Sequence, residues 1–120
     1  MKLSIRSSGG TPLDVELIGH IERRAGFALS RLAMYVQQVK VGLTDINGPR
    51  GGVDKRCQIQ VLLEGEAPMV ITETSDDLIA AVNRAFSVVS DLAARRIERR
   101  KNSQRQMQLD LRGQAPAILA

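Results

Sequence analysis

The sequence predicts a two-layer α/β sandwich of order β-α-β-β-β-α, a four-stranded mixed sheet with two helices on one face. Three observations lead there. Apolar and polar residues alternate in short stretches around Leu3 and Ile5, around Val39, Val41 and Leu43, and around Cys57, Ile59, Val61 and Leu63, with a further short stretch at Met69 to Thr74. Alternation of this kind buries one face of a strand and wets the other. Two longer segments instead carry apolar residues every three or four positions, the mark of a helix with one buried stripe. One of these lies between the first two strands, which lets them run parallel, whereas the later links suit antiparallel turns.

Lys2 to Arg6 is the first strand, with Lys2, Ser4 and Arg6 on its wet side. Ser7 to Gly10 turns the chain. Thr11, Pro12 and Asp14 then supply a capping hydroxyl, a proline at the first helical position and a carboxylate three residues after the cap. The helix they open runs to about Leu32 on a stripe of Leu13, Leu17, Ile21, Ala25, Ala28 and Leu32, with His20, Arg23, Arg24, Phe27 and Arg31 along a cationic edge beside it. Gly19 and Gly26 each weaken it by roughly 1 kcal/mol relative to alanine, enough to permit a break near Gly26.

Val36 is out of phase with Val39, Val41 and Leu43, which places a bulge near Gln37 at the start of the second strand. Asp45 to Lys55 contains Asn47-Gly48-Pro49-Arg50-Gly51-Gly52, too long for a tight hairpin and read as a mobile tip. The third strand follows, then a turn from Glu64 to Pro68, then the fourth strand. Ser75 can cap the last helix, with Asp76 and Asp77 where its dipole favours negative charge. Its stripe is Leu78, Val82, Phe86, Val89, Leu92, Ala93 and Ile97, and Arg84, Arg95 and Arg99 project from one flank. Arg96 and Arg100 fall in the core-facing register, so the end near Lys101 reads as a cationic rod that has outrun its packing surface. Residues 1–101 form the folded domain, and residues 102–120, rich in Gln with Gly and Pro, read as a flexible tail.

Charge is placed unevenly. The chain has a formal net charge of +4, yet seven cations and only two anions lie between Arg84 and Arg105. That end alone carries more than the net charge of the whole, which suits a polyanionic partner. Lys and Arg clusters on helices are more often plain solvated faces. Here the cluster is concentrated, mostly arginine, and echoed on the first helix, and arginine's planar fork matches phosphate oxygens. Two antiparallel helices would set both edges along one groove. The candidate RNA-binding residues are Arg23, Arg24, Arg31, Arg84, Arg95, Arg96, Arg99, Arg100 and Lys101, with Arg50, Lys55 and Arg56 as accessory phosphate contacts.

Other chemistry finds little support. Aromatic residues make up 2% of the chain, too few for a base-stacking platform. The glycine-rich loop lacks the Gly-Lys-Ser/Thr ending of a phosphate cradle and opens no helix. Cys57 alternates in phase with Ile59 and Val61 and reads as a buried structural thiol. His20 is the single histidine, without partner cysteines or a carboxylate cluster, so no metal site, catalytic group or cofactor is expected. One cysteine allows no internal disulfide, and no stretch is long and apolar enough to span a bilayer. A cytoplasmic monomer without small-molecule substrate is the expectation.

The order of elements and their motifs resemble the ribosome hibernation-promoting factor and ribosome-associated inhibitor family, also labelled sigma-54 modulation proteins, in its short form. The resemblance covers about residues 1–101. It rests on Met1-Lys2-Leu3-Ser4-Ile5, Val39-Lys40-Val41-Gly42-Leu43, Asp54 to Leu63, and chiefly Ser75-Asp76-Asp77-Leu78-Ile79-Ala80-Ala81-Val82-Asn83. It implies a non-enzymatic stress-response protein whose helices present cations to ribosomal RNA on the small ribosomal subunit, near the decoding region, silencing idle ribosomes. The family pattern has an aromatic where Ile79 stands and an acidic or amide residue at Asn83. It also has basic residues at Val88, Asp91 and Arg95, of which only Arg95 matches, so the cationic footprint here has moved toward Arg96 to Lys101. Residues 102–120 are too short for the dimerisation domain of long members. Two other readings stand beside this one. The first is a general double-stranded RNA or polyanion-binding module acting away from the decoding region, which would read an A-form duplex by shape. The second is a protein-interaction adaptor using the tail.

Overall fold

A computed structural model describes residues 1–9, 12–46 and 54–119 of the chain, with side chains as far as residue 111. Its elements are β1 (Lys2–Ser8), α1 (Val15–Leu29) continued by a 3-10 turn (Ser30–Leu32), β2 (Val36–Asp45), β3 (Lys55–Leu63), β4 (Met69–Ser75) and α2 (Leu78–Leu119). The strands lie in chain order across one sheet. β1 pairs parallel to β2, and the β2–β3 and β3–β4 pairs are antiparallel. This is the predicted β-α-β-β-β-α sandwich. The register of β2 against β3 slips between Val36 and Gln38, where the phase of Val36 calls for a bulge.

Alternation decides which face is buried. Val39, Val41 and Leu43 of β2 meet Val61, Ile59 and Cys57 of β3 across the ladder, and all six are buried. The helices close over them with Leu17, Ile21, Ala25 and Leu29 from α1 and Ala81, Val82, Ala85, Phe86, Val89, Ala93 and Ile97 from α2. Phe86 is the largest fully buried side chain. With two phenylalanines and one tyrosine in the chain, the core is aliphatic, and burying each such side chain is worth about 1.5–3 kcal/mol. Leu29 belongs to the core although the predicted stripe passed over it, and Leu13, Ala28 and Leu32 are only partly buried.

Helix starts differ in detail from the sequence expectation. Asp14, not Thr11, caps α1: its Oδ1 accepts from the Leu17 amide at 2.7 Å. Thr11 lies outside the described residues, as do Asn47 to Gly52 and with them Arg50. At α2, Ser75 Oγ accepts from the Asp77 amide at 3.3 Å, and Asp77 Oδ1 accepts from the Ile79 amide at 3.3 Å. Each carboxylate thereby satisfies one of the orphan N–H groups of a first turn. α1 runs unbroken past Gly26.

The larger difference is at the C-terminal end. The helix expected to finish near Lys101 continues to Leu119, so residues 102–119 are helical. Gln, Arg, Met and Leu dominate the first turns past Lys101, and all are good helix formers that continue an existing helix without a new nucleus. Residues 101–111 are exposed throughout. At 42 residues α2 is about 63 Å long, well past the sheet it packs on.

Candidate nucleic-acid interface

The two helices run parallel, not antiparallel as the sequence reading supposed. A ladder of polar contacts shows the direction. Nε2 of His20 lies 2.8 Å from Oδ1 of Asn83, Nη2 of Arg24 donates to Ser87 Oγ at 2.7 Å, and the Ser90 hydroxyl donates to the Ala28 carbonyl at 2.8 Å. The partners advance together along both chains. Topology requires this: β4 runs parallel to β1, and each helix returns antiparallel to the strand before it. Asn83 Oδ1 can only accept, so Nε2 of His20 is the donor in this contact.

The nine candidate cations fall into two groups. Arg23 on α1, Arg31 in the 3-10 turn that continues it, and Arg84, Arg95 and Arg99 on α2 are exposed, and none of the five takes part in a hydrogen bond or ion pair among the described residues. On α2 the three residues fall within about 60° of one another around the helix, at about 100° per residue. The remaining four are engaged. Arg24 bridges the helices, donating to Ser87 and to the Asn83 carbonyl at 3.4 Å, and its guanidinium sits 5.8 Å from the Phe27 ring centroid. Lys101 Nζ lies 5.8 Å from the Tyr35 ring centroid, a cation–π distance.

Arg96 and Arg100 overturn the picture of a cationic rod free of the fold. Nη1 of Arg96 donates to the Ala67 carbonyl at 2.8 Å, and Nη1 of Arg100 donates to the Glu64 carbonyl. Both carbonyls belong to the β3–β4 turn, whose Gly65 has φ of +76°. A side chain at Gly65 would be strained by that φ, and its Cβ would sit 3.4 Å from Arg100 Nη1. The core-facing phase of these arginines therefore has a use: beyond Ile97 the helix meets a polar turn, and guanidinium groups satisfy its carbonyls.

Between the helices, Arg24, Phe27, Ala28, Arg31, Ser87 and Asp91 line a shallow trough of about 570 Å³. Phe27 stands 78% exposed at its edge. It is the one exposed aromatic beside the arginines, and its off-stripe helical phase was the sequence signal for it. The interhelical link through His20 and Asn83 had no such signal, because it depends on which turns of two distant segments meet. Arg56 is exposed on the other face of the sheet, away from the helices. Lys55 is committed elsewhere. Its Nζ lies 2.9 Å from Asp45 Oδ2 and 3.3 Å from Oδ1 of buried Asp54, and the bond to Asp45 chiefly holds its pKa above the ordinary lysine value.

Among the described residues no cluster of three His, Cys, Asp or Glu could hold a metal ion, and no helix is long and apolar enough to cross a membrane. Cys57 is buried, and burial, helped by the Glu73 carboxylate, pushes its thiol up to about 12.

No protein-family model and no curated protein matches the chain. Solved structures do. The N-terminal domain of Protein Y from Thermus thermophilus aligns with a TM-score of 0.65 at 21% identity, covering 79% of this chain and 98% of that domain. A ribosomal subunit interface protein from Coxiella burnetii aligns with a TM-score of 0.67 at 15% identity, covering 82% of this chain and 99% of that one. Each neighbour is matched nearly end to end, while about a fifth of this chain lies outside the match. The chain therefore has the fold of the Protein Y N-terminal domain, the fold that the sequence resemblance implied.

Proposed function

We propose that this protein is a short hibernation-type factor that binds the small ribosomal subunit through its helical face and keeps idle ribosomes out of translation. The observation that carries the reading is the set of five exposed arginines on the helical layer, Arg23, Arg31, Arg84, Arg95 and Arg99, none bonded among the described residues, on a fold shared with a ribosomal subunit interface protein. Ribosomal RNA supplies the complementary phosphates. Arginine forks bind them in pairs of hydrogen bonds, and no base stacking is needed. Arg24, Arg96, Arg100 and Lys101 act one step back in this reading: Arg24 ties α1 to α2, Arg96 and Arg100 tie α2 to the β3–β4 turn, and Lys101 rests over Tyr35 ahead of β2. The role is non-enzymatic and places the protein where ribosomes are, in the cytoplasm, as a monomer.

The test is co-sedimentation of the pure protein with isolated small subunits in the presence of excess unrelated duplex RNA. Retention on the subunits, with inhibition of translation in a purified system, is the expected result. Loss of the protein to the competitor would instead make it a general double-stranded RNA-binding module.

A further inference from the structure

The sheet face that no helix covers also carries positive charge, and among the described strand residues no carboxylate opposes it there. Side chains alternate along each strand, and the register aligns Lys2 and Arg6 of β1, Lys40 of β2 and Arg56 of β3 on the outer side. All four are exposed. Every other outward position on the four strands is Ser, Thr, Gln, Gly or one of two aliphatic residues, with no carboxylate among them. The helical face is different, since Glu22, Asp91 and Glu98 interleave with its arginines. No ion pair among the described residues involves any of the four sheet cations.

Protection of a sheet edge explains only part of this. Lys2 and Arg6 sit on the edge strand β1, where charge discourages pairing with another chain. Lys40 and Arg56 sit on central strands, which have no edge to protect. Lys40 lies opposite Ser4, so Lys2 and Arg6 are its diagonal neighbours, roughly 7–8 Å away. Gly42, with no side chain, floors a shallow dish of about 330 Å³ walled by Ser4, Arg6, Lys40, Gln58 and Gln60. Two cations, two amides and a hydroxyl around an open floor suit the oxygens of a phosphodiester. The face has no aromatic residue, so it offers bases nothing to stack on.

We propose that the open sheet face is a second RNA surface, which takes the phosphate backbone of a duplex, and that the protein bridges two RNA segments, one on each layer. The proposal rests on the RNA-binding part of the function proposed above. It places Lys2, Arg6, Lys40 and Arg56 in phosphate contacts, with Gln58 and Gln60 as hydrogen-bond donors between them.

The experiment titrates a labelled 16-base-pair duplex RNA with the full chain at several salt concentrations, and counts duplexes per protein by analytical ultracentrifugation. Parent protein should bind two duplexes. The variant Arg6→Gln, Lys40→Gln, Arg56→Gln should bind one, with a salt slope shallower by about three. Gln58→Glu, which removes no cation and adds a carboxylate inside the dish, should also weaken the second site. A parent that binds one duplex, or a folded triple variant with the parent's stoichiometry and slope, overturns the proposal; so does Gln58→Glu binding as the parent does. The two readings fail separately. Two duplex sites without small-subunit binding would leave this inference standing and remove the ribosomal one. Subunit binding with a single duplex site would do the reverse.

Discussion

Replace Arg84, Arg95 and Arg99 together by glutamine, and in a second protein replace Arg96 and Arg100. The charge changes are similar, but the structure gives them different outcomes. The first three guanidinium groups are exposed and bond nothing among the described residues, so their loss should leave the melting temperature within a few degrees of the parent. If each neutralises one phosphate, each contributes roughly −0.9 to the slope of log affinity on log salt, about −2.7 for the three. Raising salt from about 50 to about 200 mM should then weaken the parent about 40-fold more than the triple variant. Arg96 and Arg100 hold carbonyls of the β3–β4 turn. Losing both bonds should cost about 2 kcal/mol and roughly 5–10 °C of melting temperature, while the salt slope on small subunits changes little. Calorimetry and a fluorescence titration against small subunits read both quantities. A triple variant that keeps the parent slope would refute the assignment of that row to RNA. A double variant that melts like the parent would show that the turn contacts do not hold the helix.

Other outcomes follow from the core and from the length of α2. Phe86→Ala should cost about 3–5 kcal/mol in denaturant unfolding, since the side chain is fully enclosed; a cost under 1 kcal/mol would contradict that enclosure. Cys57 should react slowly with a thiol reagent in the native protein and rapidly in denaturant. Because the folded thiol titrates at about 12 and an exposed one near 9.0, its contribution is intact below pH 9 and is lost as pH rises toward 12. Cys57→Ala should remove that alkaline sensitivity, which amounts to about 4 kcal/mol at most. Truncation after Lys101 should leave the melting temperature nearly unchanged, because residues 102–111 are exposed; a large fall would mean that the extension belongs to the domain.

The strands and both buried stripes could be read from the sequence because alternation and three-to-four spacing are local patterns. Val36 even announced its bulge by being out of phase. Local pattern does not carry what depends on two distant segments meeting. The parallel run of α1 and α2 needed the strand directions to be followed through three connections, and an antiparallel pair was assumed instead. Arg96 and Arg100 looked surplus to the core because their partners are backbone carbonyls, which leave no trace in side-chain periodicity. Composition did not reveal the helix over residues 102–119 for a related reason. A Gln-rich stretch cannot build a core, but it can prolong a helix already nucleated by Phe86 and Val89. Of the nine candidate cations, the sequence could name the charge but not separate the five free groups from the four engaged ones.

The shared direction of the two helices has an electrical consequence. Their peptide dipoles add instead of cancelling, and ionic side chains sort along the same axis. Asp14, Glu16, Asp76 and Asp77 gather at the amino ends, while Arg31 follows the end of α1 and Arg95 and Arg99 lie midway along α2. The ionic moment opposes the peptide moment. In the field of a polyanion such a body feels a torque before it touches anything. It would swing arginine end first and acidic end outward, so that most encounters arrive already aligned. Orientation would then be settled during approach, and its speed would fall as added salt shortens the reach of the field.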